Sequence, residues 1–104
     1  MLNGEKLLEL SKYFTPVHHI KGRLRVRVSP SIVKEAEDIS VKDIETLPEK
    51  IDGLKSVRVN KLAATVIIEY DNSVFPYELW DDFLHGRDLE KVRGVILSLE
   101  KRLS

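Results

Sequence analysis

Residues 19–28 read HIKGRLRVRV, and apolar and cationic side chains take turns along them. Ile20, Leu24, Val26 and Val28 stand at one parity, and Lys21, Arg23, Arg25 and Arg27 at the other. Period two is the period of a β-strand, so residues 17–28 read as one strand with an apolar face for a core and a cationic face opposite. Upstream, Leu7, Leu8, Leu10, Tyr13 and Phe14 fall near helical spacing within residues 2–14, with Asn3 placed to cap the helix and Glu5 in its first turn. Thr15 and Pro16 end that pattern.

Beyond the strand the period changes. Pro30 behind Ser29, then Ile32, Val33, Ala36 and Ile39, predict a short helix. Val41, Ile44, Leu47 and Ile51 predict a second one, with Pro48 kinking or ending it. Gly53 stops it, and residues 54–59 alternate again, turn at Asn60, Lys61 and Leu62, and return through AATVIIEY. That hairpin should turn Val57, Val59, Ala64, Val66, Ile68 and Tyr70 inward, and Arg58 and Glu69 outward. Leu79, Trp80 and Phe83 mark a helix over 76–85 that Gly86 ends, with Trp80 and Phe83 on its buried face. The stripe Leu89, Val92, Ile96, Leu99, Leu103 favours a C-terminal helix over a fourth strand. Strand, helix, hairpin, helix predicts an α+β ferredoxin-like sandwich, an antiparallel sheet with helices on one face and extra N- and C-terminal helices.

At 104 residues, 42% hydrophobic and 33% charged, the chain suits a single domain over 1–104, with an N-terminal helix to residue 14, a core over 17–86 and a C-terminal helix over 87–104. Seventeen basic and seventeen acidic residues cancel, so electrostatic binding has to be local. Cysteine is absent, which removes disulfides and thiolate metal ligands. No run has the roughly 20 apolar residues of a membrane span, and the start lacks the apolar core of a secretory signal, so a cytoplasmic protein is expected, associating with membranes at most peripherally.

Three arginines in one row repel each other, and guanidiniums grip carboxylates or phosphates bidentately. An anionic partner is therefore expected at Arg23, Arg25 and Arg27, with Lys21 and Arg58 extending the patch and Gly22 letting the backbone bend or approach it. The competing reading is a solvated face whose charges pair across strands for a few tenths of a kcal/mol to about 1 kcal/mol each. His18 and His19 are adjacent and so point to opposite faces, with His19 on the arginine side by parity. They are the candidate ligands for a metal or haem iron, which the neighbouring cations disfavour. The anion could belong to a protein's acidic segment or, as the alternative, to nucleic acid or an anionic membrane surface; nucleic acid is disfavoured, because the basic strand has no aromatic residue on which a base could stack. Catalysis is not expected: the acidic groups Glu35, Glu37, Asp38 and Asp81, Asp82 come with no identifiable nucleophile, base and orienting residue. The apolar stripes of the two terminal helices either cover the core or pair with a second copy, giving a homodimer.

Residues 19–28 together with LPEKIDGLKSVRVNKLAATVIIEYD over 47–71 carry a resemblance. His19, Gly22, Arg23 and Arg25, then Gly53, Val57, Val59 and Asn60, then Tyr70 and Asp71, resemble the pattern of Cys-less heavy-metal-associated (HMA)-like domains, found in some bacterial metal-transporting P-type ATPases and in small stand-alone relatives. The resemblance implies a ferredoxin-like fold and a non-enzymatic accessory role in transition-metal homeostasis, with iron the implied metal and iron or haem the implied cofactor. It also implies a protein partner, a metal-transporting ATPase or a component of an iron-storage compartment. The chain departs from the copper-binding branch in lacking its CxxC, which puts direct capture of copper or zinc in doubt.

Overall fold

The structure, a computed structural model, describes residues 2–101. Helix α1 (Gly4–Leu10) starts on Asn3, whose side chain accepts the Lys6 N–H at 2.9 Å, and a 3-10 turn (Ser11–Tyr13) follows it. Strands β1 (Phe14–Ile20) and β2 (Arg23–Val28) come next. A 3-10 turn (Pro30–Lys34) leads to α2 (Val41–Glu45), where Ser40 and Asp43 cap each other's backbone N–H groups. Pro48 falls in a further 3-10 turn (Leu47–Glu49), where its missing N–H costs little. Strands β3 (Leu54–Asn60) and β4 (Thr65–Tyr70), then helices α3 (Tyr77–His85) and α4 (Leu89–Leu99), complete the chain. Residue 100 is already extended and bridges to Ile51. Leu103, the last member of the predicted stripe, lies outside the described residues.

The four strands form one antiparallel sheet in the order β1-β2-β4-β3. The fold is α+β and ferredoxin-like, with one rearrangement. In a β-α-β-β-α-β unit the closing strand follows the second helix. Here the chain continues into α4, and the edge beside β2 is filled by β1 from the N-terminal side. The sheet therefore gains a fourth strand that the periodicity did not predict.

That fourth strand corrects the reading of residues 17–28 as one continuous strand. The decapeptide is a hairpin, turning at Lys21 and Gly22. Gly22 takes φ +92°, a conformation open to glycine at little cost. The two-residue turn sets Ile20 opposite Arg23, so Ile20 shares the arginine face and is 51% exposed where a core position was expected. Lys21 sits in the turn and not in the row. A bulge at Val17 restores parity, and Pro16 and Phe14 face inward opposite Val26 and Val28. Pro16 is tolerated because β1 is an edge strand. Ala64, expected on an inward face, lies in the β3–β4 turn with φ 52°.

The core lies between the sheet and the helices. Leu24, Val26, Val57, Val66 and Tyr70 are buried from the sheet, Leu79, Trp80 and Phe83 from α3, and Val92 and Ile96 from α4. Trp80 stacks on Phe75 at 4.1 Å and meets Phe83 edge-on. Helices α1 and α4 pack on each other, tied by Arg93 to Glu5 at 2.6 Å and by the Gly4 N–H to the Glu100 carboxylate. Leu10 of α1 and Val92 and Ile96 of α4 join a single cluster, while Leu89 of the predicted stripe is 46% exposed.

Replacing Gly22 tests the hairpin. A Cβ there has room, its nearest neighbour being the Tyr70 carbonyl oxygen at 3.5 Å, so the cost is conformational. Gly22→Ala should lower unfolding free energy by about 1–2 kcal/mol, and Gly22→Asn by less, since asparagine tolerates positive φ. Equal denaturant midpoints for wild type and Gly22→Ala would contradict the turn.

Candidate functional site

Register alone assembles the outer face of the sheet. Side chains directly opposite each other share a face, so β1, β2, β4 and β3 present three cross-strand rows. Thr15, Arg27, Thr65 and Asn60 form one, His18, Arg25, Ile67 and Arg58 the next, and Ile20, Arg23, Glu69 and Ser56 the third. Arg23, Arg25, Arg27 and Arg58 are all exposed. Alternate residues on a strand are about 6.8 Å apart and neighbouring strands about 4.8 Å, so Arg25 and Arg58 flank Ile67 at roughly 9.6 Å.

Among the described residues, none of these four arginines belongs to an ion pair. Glu69 stands opposite Arg23, yet its carboxylate accepts a 3.0 Å hydrogen bond from the Ser56 hydroxyl. The acidic residues in ion pairs lie elsewhere: Glu35 with Lys12, Asp81 and Asp82 with Arg87, Glu5 with Arg93. Each neighbouring pair of arginines in the row repels by about 0.6 kcal/mol at the dielectric of water, which a bound polyanion would relieve. The face carries Ile67 and Ile20 as apolar contacts, and among the described residues its three rows hold no Phe, Tyr or Trp.

The two histidines change places relative to expectation. His18 pairs with Arg25 on the outer face and is exposed. His19 pairs with Leu24 and turns inward, because the turn reverses the parity that a continuous strand would have kept. There its ring stacks on Tyr77 at 3.9 Å and 16°, and Nε2 lies 2.8 Å from the Tyr70 hydroxyl. Tyr70 also donates to the Ile20 carbonyl at 3.4 Å, and burial raises its pKa. Burial is likewise the largest influence on His19 and lowers its pKa; Asp81 works against this and His18 adds to it. His85 bonds the Asp81 carbonyl at 2.8 Å, near the end of α3.

Lys21 and Gly22 are brought to the rim of the face by the turn, and Arg58 joins it from β3. What sequence periodicity missed is the membership of His18 and Ile20; Ile67, at the parity of Glu69, was on the outward side of the alternation. The available signal was a glycine between two alternating runs, which marks a hairpin. A chelating site is not assembled: among the described residues no three His, Asp or Glu side chains group so as to hold a metal ion, and His18 and His19 diverge across the sheet. No helix among the described residues is long and apolar enough to cross a membrane.

The family model described as heavy metal associated domain 2 matches residues 7–95. No curated protein and no solved structure matches the chain.

The lowered pKa of His19 sets a pH dependence. As the pH falls, the unfolded chain takes up the proton first. The stability associated with the neutral ring is therefore complete above the ordinary value of 6.5 and is lost between 6.5 and the lower folded value. Denaturant midpoints measured from pH ~7.5 down to ~5 should fall more for wild type than for His19→Phe, which has no proton to gain. Parallel curves for the two proteins would contradict this assignment.

Proposed function

We propose for this chain, which belongs to the heavy metal associated domain 2 family, the role of a non-catalytic accessory in transition-metal homeostasis that recognises an anionic partner through its arginine face. Membership supports the association with metal handling. Iron is the metal that the sequence resemblance implies, and the implied partner is a metal-transporting ATPase or a component of an iron-storage compartment. The chain's own donors do not fit a metal centre: cysteine is absent, His19 is committed to Tyr70 and Tyr77, and His18 stands among arginines. The module therefore serves metal handling by docking.

The observation that carries this reading is the set of Arg23, Arg25, Arg27 and Arg58, exposed on one sheet face without an ion pair among the described residues. A solubilising surface would intersperse charges of both signs. Guanidiniums repeating about every 6.8 Å match carboxylates on alternate residues of an extended acidic segment, which have the same repeat. Ile67 and Ile20 favour a polypeptide over nucleic acid, since they offer contacts for apolar side chains where a nucleic acid would need stacking platforms.

A polyglutamate peptide is a direct probe. Amide NMR shifts should saturate, centre on β2 and β3, and weaken with added salt. Arg23→Ala combined with Arg25→Ala should leave the far-ultraviolet CD spectrum unchanged and weaken binding at least tenfold, in line with losing two charge-assisted contacts. Equal affinity in the double variant would overturn the proposed docking face.

A further inference from the structure

We infer that the arginine face selects a peptide carrying one apolar side chain between two acidic ones, with Ile67 as the specificity-determining residue. The inference rests on the docking role proposed above and names the partner's chemistry. Ile67 stands in the middle row on β4, an interior strand, with Arg25 beside it on β2 and Arg58 beside it on β3. Its outward neighbours along β4 are Thr65 and Glu69. Ile67 is half-buried and the two arginines are exposed. An apolar centre with a polar rim is the anatomy of a protein–protein interface. Arginine lays its methylenes along apolar surface while its guanidinium stays in water, so Arg25 and Arg58 widen that centre.

Charge selects the sign of the partner. Arg23, Arg25, Arg27 and Arg58 make no ion pair among the described residues, whereas Glu69, the one acid in the three rows, already accepts the Ser56 hydroxyl at 3.0 Å. A second copy presenting the same face would set guanidiniums against guanidiniums, which excludes it as the occupant. Spacing selects the sequence. On an extended segment lying along the seam between β2 and β4, side chains that face the sheet recur about every 6.8 Å, the step from Arg27 to Arg25 to Arg23. An apolar side chain level with Ile67 therefore sets the second residue on either side level with Arg27 and Arg23. Carboxylates at those two places gain charge-assisted hydrogen bonds. The ends differ, because Arg27 has Thr65 beside it and Arg23 has Glu69.

Two short glutamate peptides of equal charge, one with a central leucine and one with a central serine, test this by titration against the whole chain. Wild type should bind the leucine peptide at least about fivefold more tightly, as partial burial of a leucine side chain predicts. Ile67→Thr, which keeps a β-branched residue in the strand, should erase that preference and leave the affinity for the serine peptide unchanged. Arg27→Ala should weaken the leucine peptide more than Arg23→Ala does; the reverse order would overturn the placement along the seam. Equal binding of the two peptides by wild type, or a preference that survives Ile67→Thr, would overturn the selectivity and leave the docking face standing. Failure of both peptides to bind, or tighter binding of an oligothymidylate of equal charge, would overturn the docking face and this inference with it.

Discussion

Strand β2 is one of the two interior strands of the sheet. It is hydrogen-bonded on one edge to β1 and on the other to β4, while Leu24, with 0% of its surface exposed, and Val26 are sealed beneath the helices. A strand's side chains alternate faces, so a slip of one residue would drive three guanidiniums into the core and expose the residues that stabilise it. Each unpaired buried charge costs several kcal/mol, so three of them would exceed the stability of a small domain. The core thus selects the register, and the register aims the arginines. Their presentation is rigid because it is a by-product of packing.

Charge is balanced over the chain and divided within it. The acidic residues that form ion pairs do so on the helices and turns, with Lys12, Arg87 and Arg93 among their partners, while the open sheet face keeps four arginines against one glutamate. Such a distribution produces little field at a distance. Its reach is about one Debye length, near 8 Å at physiological ionic strength, which suits recognition on contact more than long-range steering. The same sheet separates two unlike environments: a cationic outer surface, and an apolar core beneath the helices.

The histidines show how little local sequence says about chemistry once a turn intervenes. Chelation would need His18 and His19 to converge, and the hairpin sends one to the arginine face and the other beneath the sheet. His19 then becomes part of an aromatic cluster with Tyr70 and Tyr77, where burial disfavours its charged form. A family associated with heavy metals is represented here by a chain whose polar chemistry on the sheet is cationic, and the proposed docking role follows from that substitution of charge for chelation.

Much of this was legible from the pattern of residues. Alternation in β2, β3 and β4 placed Leu24, Val26, Val57, Val66 and Tyr70 inside and Arg23, Arg25, Arg27, Arg58 and Glu69 outside, because the period of a strand acts through nearest neighbours alone. Helical spacing and Gly86 bounded α3, and the stripe in α4 identified a helix. The fourth strand, the inversion of His18 and His19, and the place of Ile20 were decided by tertiary structure. A two-residue turn at Lys21 and Gly22 leaves the alternation looking continuous, and only pairing of β1 with β2, with its bulge at Val17, determines which parity faces the core.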